Sequence, residues 1–99
     1  MATQANEFTY TISDGALQKI ALTTALACPG VTAKKGKGLV LRHDGKTVIV
    51  ELHLQVQYGL QLRTVALTVQ QQVARALQQM AAPTALEVHV TIEDLVVPE

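Results

Sequence analysis

The stretch Thr47-Val-Ile-Val-Glu-Leu-His-Leu-Gln-Val-Gln-Tyr58 decides how this chain folds. Val48, Val50, Leu52, Leu54, Val56 and Tyr58 point one way, and Glu51, His53, Gln55 and Gln57 point the other. A period of two, with one apolar and one polar row, marks a strand in a sheet that is buried on one face and wet on the other. Just before it, His43-Asp-Gly-Lys46 is a hairpin signal, because Asp-Gly accepts the positive φ angles of a tight turn. Leu39-Val-Leu41 therefore begins the partner strand. Just after it, Gly59 lets the chain turn into a helix. Leu62, Val65, Ala66, Val69, Val73, Ala76, Leu77 and Met80 then share one stripe of roughly 120° on a wheel of about 100° per residue. Ala82 stands before Pro83, which closes that helix. Leu86, Val88, Val90 and Ile92 alternate with Glu87, His89, Thr91 and Glu93 in a last strand, and residues 96–99 form a tail.

Upstream, residues 1–7 are polar and read as a flexible N-terminus. Phe8-Thr-Tyr-Thr-Ile12 alternates and predicts a short strand. Ser13 and Asp14 are both good helix N-caps. Leu17, Ile20, Ala21, Thr24 and Cys28 follow on one helical face, and Pro29-Gly30 ends the helix. Val31 to Gly38 reads as a loop carrying Lys34, Lys35 and Lys37. The predicted order is strand-helix-strand-strand-helix-strand. This is an α+β, ferredoxin-like split βαβ arrangement, one small domain over residues 8–97, with two helices on one face of the sheet.

The size of the chain sets limits on function. A 99-residue chain buries about 65% of its unfolded surface, enough for one core. The composition is 48% hydrophobic with three aromatic residues, so the core must be Val, Leu, Ile and Ala. Eight basic and eight acidic residues balance to zero. That argues against a dedicated nucleic-acid binder, and it removes the self-repulsion that keeps proteins apart. Cys28 is the only cysteine. No intrachain disulfide can form, and its place in an apolar helical pattern predicts a buried, inert thiol. The N-terminus has neither the basic nor the apolar region of a signal peptide. No stretch approaches the length of a membrane span. These features predict a cytoplasmic protein.

Nothing in the residues predicts catalysis, a cofactor or a metal. His53 and His89 fall on wet strand positions and His43 at a hairpin tip, with no ligand spacing among them. Only a meeting of His53 and His89 across neighbouring strands would bring two together. Glu51, Glu87, Glu93 and Asp94 read as solvated charge, not as acids tuned by a pocket. Ser13, Thr23 and Thr24 have no apparent base partner.

Two contact surfaces stand out instead. Lys34-Lys-Gly-Lys-Gly38, with Arg42, is the candidate for holding an anion. It lacks both the Walker A spacing and the G-x-x-G clamp of KH domains. Leu22, Leu26, Leu67 and Gln71 lie off the predicted core faces of the two helices and form a candidate interaction surface. Leu22 and Leu67 either fill the groove between the helices or face a partner, and both readings stand.

Several short segments, in order, resemble the alkaline shock protein family, the envelope stress response proteins of Gram-positive bacteria and their relatives. They are Ile12-Ser-Asp14, Ile20-Ala21 with Ala25, Pro29-Gly-Val31, Gly38-Leu-Val40, Val56-Gln-Tyr-Gly-Leu60, Val65-Ala66, Val69-Gln70, and Leu86-Glu-Val-His-Val-Thr-Ile-Glu-Asp94. The resemblance covers residues 8–97. The compressed loop after Val31 and the missing charged tails make the chain similar to the small housekeeping-type members.

The resemblance implies a non-catalytic cytoplasmic adaptor or scaffold that self-associates. Its protein partner would act in cell-envelope or membrane-lipid homeostasis, as a membrane-anchor protein or a lipid-metabolism enzyme that recruits it to the inner face of the membrane. The alternative is a small KH-like or ferredoxin-like RNA-binding module using the Lys34–Lys37 loop. Its weak points are the zero net charge and the lack of aromatic stacking residues on the wet strand faces. A third reading is a small-molecule regulatory domain or minor enzyme around His53 and His89.

Overall fold

The computed structural model describes residues 11–81 and 85–97. Ser13 opens the first element. Its backbone is extended (φ −68°, ψ 157°), and its Oγ accepts the Ala16 N–H at 3.1 Å, which caps helix α1, Asp14–Leu26. Asp14 adds a negative charge in the first turn, where the helix dipole favours one. Strand β1, Val31–Asp44, and strand β2, Thr47–Gln57, form the predicted hairpin across Gly45-Lys46. Helix α2, Leu62–Ala81, and strand β3, Ala85–Val96, complete the order. The predicted first strand lies largely outside the described residues. Phe8 to Tyr10 are not described, and Thr11 and Ile12 are not in a strand.

The sheet order is β1-β2-β3, with β2 antiparallel to β1 and parallel to β3. The parallel pair requires α2 as a crossover, because parallel neighbours cannot be joined by a tight turn. α1 packs on β1 and on α2, while α2 packs on β3. The result is the expected α+β architecture with two helices on one face.

β2 forms the centre of the core. Val50, Leu52, Leu54 and Val56 are fully buried beneath the helices. Leu17, Ala21 and Ala25 of α1 and Val65, Val69, Val73 and Leu77 of α2 meet them from above. Complete burial of each Val or Leu contributes about 1.5–3 kcal/mol. Of the predicted α1 face, Leu17, Ala21 and Cys28 are buried, while Ile20 and Thr24 are only half-buried and Ala25 is buried instead. Small residues on this side let the helix approach the sheet closely. On α2 the predicted stripe is right at its centre and too long at its ends, because Leu62 and Met80 are exposed.

Two strand boundaries differ from expectation. Val31 to Gly38 is not a loop but the first half of β1. It pairs with β2 at Val31–Val56, Ala33–Gln55 and Lys34–Leu54, and the ladder resumes at Leu39–Leu52. Residues 35–38 thus stand opposite the single residue His53, an enlarged bulge that breaks the side-chain alternation without ending the strand. Gly38 takes φ +79° there. A β-carbon on it would lie 2.6 Å from the Lys34 Cβ and 3.1 Å from the Leu22 Cδ1. Tyr58 is not on the buried row of β2. The ladder ends at Gln57, and the Tyr58 N–H instead bonds the Val96 carbonyl at 2.7 Å.

Candidate interaction surfaces

The sheet face away from the helices carries paired charges. The Arg42 guanidinium meets the Glu51 carboxylate, and His89 Nε2 lies 3.1 Å from Glu87 Oε1. Lys35 Nζ reaches Asp94 Oδ2 at 3.6 Å. His53 Nδ1 is shielded from solvent and sits 2.5 Å from Glu93 Oε2, outside the alignment of a hydrogen bond. The parallel register places His53 opposite Thr91 and His89 opposite Glu51. The two histidines are therefore one diagonal step apart, and each takes its own carboxylate. No group of three metal-ligating side chains comes together among the described residues. Such exposed pairs contribute little stability, and they leave this face hydrated.

The predicted anion-binding set divides in two. Lys35 and Arg42 are held by Asp94 and Glu51. Lys34 and Lys37 lie at the bulge of β1, exposed, with no carboxylate partner among the described residues. α1 adds Lys19 to them. Gly15, Gln18, Lys19 and Leu22 from α1 face Lys37 and Leu39 from β1 across a shallow groove. Residue-by-residue reading overlooked Lys19 because it lies on another element. Its spacing of three from Leu22 was the available signal.

The predicted interaction residues are also divided. Leu22 is half-buried and packs against the core, on the side facing Gly38. It fits the groove-filling reading, although the groove is the one with β1. Leu26 and Leu67 are exposed at 38% and 44%, and Gln71 is exposed too.

A larger apolar surface lies where β2 ends, α2 begins and β3 ends. Tyr58, Leu60, Leu62, Leu95 and Val97 are 58%, 41%, 38%, 38% and 68% exposed. Leu62 and Leu95 line one hollow together with Ile92 and the carboxylates Glu93 and Asp94, and the Tyr58–Val96 backbone bond joins the two strand ends. Leu60 packs toward Gly30, whose φ of +90° and missing side chain admit the Leu60 Cδ1. The periodicity of α2 assigned Leu62 to the core, so it could not reveal this cluster. Only the three-dimensional meeting of three element ends creates it.

Chemically, the described residues bury no polar or charged side chain. Cys28 is buried against α1, its Sγ 3.4 Å from the Thr24 carbonyl, and burial pushes its thiol pKa above the ordinary value. None of the described helices is long and apolar enough to cross a membrane.

This architecture, two helices over one face of a three-stranded mixed sheet, recurs among solved structures of MamM-CTD. A single-site variant of MamM-CTD superposes with a TM-score of 0.55 at 18% identity, covering 82% of this chain and 99% of that one. A zinc form of another variant gives 0.55 at 19% identity, covering 86% of each chain. A nickel form gives 0.53 at 19% identity, covering 80% of this chain and 98% of that one. At these identities the likeness is one of fold. No curated protein matches the chain. The family assignment comes from sequence. Residues 32–97 match the alkaline shock protein family, which has a cell envelope-related function, and the chain belongs to that family.

Proposed function

We propose that this chain is a non-catalytic cytoplasmic adaptor that self-associates and holds a protein partner in cell-envelope or membrane-lipid homeostasis. The observation that carries the reading is the exposed apolar cluster of Tyr58, Leu60, Leu62, Leu95 and Val97 on a chain of zero net charge. Exposed apolar side chains with a tyrosine among them favour protein contact, and nothing in the overall charge opposes approach of a second copy. A patch at one end of the domain suits a two-fold pair. Support for a non-catalytic role is chemical. Acid–base or nucleophilic catalysis needs polar groups held in a desolvated site, and among the described residues the buried side chains are apolar apart from one thiol.

The test is light scattering on the purified full chain, with a variant carrying Tyr58→Glu and Leu62→Glu. The expected result is an oligomer for the wild type and a folded monomer for the variant. A wild-type chain that stays monomeric at high concentration would sink self-association.

A further inference from the structure

The eight acidic residues of the chain are unevenly placed. Asp14, Glu51, Glu87, Glu93 and Asp94 each engage a histidine, lysine or arginine. Asp44 is at the hairpin tip, and Glu7 and Glu99 lie outside the described residues. The zero net charge therefore conceals a local excess. Lys19 and Lys37 line the groove between α1 and β1, Lys34 lies beside it next to Gly38, and none of the three has a carboxylate partner among the described residues.

The groove is amphipathic as well as basic. Leu22 and Leu39 form its apolar floor, Gly15 and Gln18 line it further, and Lys19 and Lys37 stand at its rim. Gly38, buried beneath, leaves room for the Leu22 side chain. β1 is also an outer strand of the sheet, so its far edge has no neighbouring strand among the described residues. Lysines on an edge strand repel an identical edge. A second copy would bring its own lysines to the same place, so this surface disfavours self-pairing. An extended segment of opposite sign would be attracted to the edge and could seat apolar side chains on the floor.

We propose that the groove of Lys19, Leu22, Lys34, Lys37 and Leu39 docks an extended acidic segment of a partner protein, one that alternates carboxylate and aliphatic side chains. This deepens the adaptor reading by giving the chemistry of its partner. It rests on that reading, and it uses a different surface from the one that self-associates.

The experiment is fluorescence anisotropy with the full chain and a labelled twelve-residue peptide alternating glutamate and leucine. The expected result is saturable binding that weakens as salt rises. A variant with Lys19→Glu, Lys34→Glu and Lys37→Glu should bind at least tenfold more weakly. Replacing the leucines of the peptide by serine should weaken binding by a similar factor, which bulk charge attraction alone would not do. A variant with Arg63→Glu and Arg75→Glu on α2 should bind as the wild type does. Light scattering on the triple lysine variant separates the two readings. It should keep the oligomeric state of the wild type, whereas the Tyr58 and Leu62 variant should lose that state and keep peptide binding. Absence of peptide binding, or binding that the lysine reversals leave unchanged, would overturn the proposal. So would lysine-dependent binding of oligouridine or of phosphatidylglycerol vesicles in place of the peptide.

Discussion

His43 Nε2 lies 3.0 Å from Asp14 Oδ1 and 3.1 Å from Oδ2, which ties the tip of the β1–β2 hairpin to the first turn of α1. Both side chains are half exposed, so the contact is worth less than about 1 kcal/mol. Asp14 also serves the positive end of α1, for a further ~0.3–1 kcal/mol. Asp14→Ala should therefore cost more than His43→Ala. A double-mutant cycle in urea should give a coupling below about 1 kcal/mol that shrinks in 1 M salt. A coupling above about 2 kcal/mol would mean the pair organises the fold.

Gly36 and Gly38 share the bulge and should respond differently to alanine. Both have positive φ, which costs a non-glycine residue roughly 1–2 kcal/mol. A methyl group at Gly36 meets nothing within 4 Å, whereas at Gly38 it meets Lys34 and Leu22. Crowding adds roughly 1–3 kcal/mol there. Chemical denaturation should rank Gly38→Ala below Gly36→Ala in stability, and equal losses would contradict the packing around Gly38.

Leu52→Ala and Leu54→Ala empty the centre of the core, where both residues are fully buried. Each should cost about 2–5 kcal/mol. Leu67, exposed on α2, should tolerate Ala within about 0.5 kcal/mol. A large loss at Leu67 in dilute solution would instead point to a contact with another chain, and it should then depend on protein concentration.

Cys28 supplies a test in pH. Its folded pKa is raised by burial, so the unfolded chain loses the thiol proton first as pH rises. The buried neutral thiol costs nothing below the ordinary thiol pKa of about 8.5, and stability falls above it. Melting curves of the wild type and Cys28→Ala should run parallel up to about pH 8 and diverge beyond it, with the wild type losing more. Every other ionisable group is common to the two proteins and cancels in the comparison. Parallel curves up to pH 10 would show that the thiol is open to solvent.

β2 and α2 were legible because each separates apolar from polar side chains cleanly, at periods of two and of 3.6. The hairpin was legible from Asp44-Gly45. α1 was legible as a helix and in part in orientation: Leu17, Ala21 and Cys28 are buried as expected, but Ile20, Leu22 and Leu26 place apolar groups on most sides and hid the burial of Ala25. The first half of β1 was hidden because its pairing is made by the backbone, while the bulge at residues 35–38 scrambles the side-chain alternation. Strand order was not readable, as a parallel β3 depends on where α2 lays the chain down. The sites followed the same division. Lys34 and Lys37 were visible as a run, but which of the cations are paired with a carboxylate, and that Lys19 joins the rest, depends on packing.

The parallel pairing of β2 with β3 also shapes how the protein is born. The hairpin of β1 and β2 closes over a two-residue turn, so it can assemble as soon as Gln57 has left the ribosome. β3 cannot join until α2 has been made, and until then one side of the most aliphatic strand in the molecule has no neighbour. During that interval the unpaired backbone edge of β2, beside the still uncovered row of Val50, Leu52, Leu54 and Val56, is adhesive. Slow translation through α2, or truncation before Ala85, should therefore show up as aggregates in the cell, even though the finished domain carries no such hazard on β2.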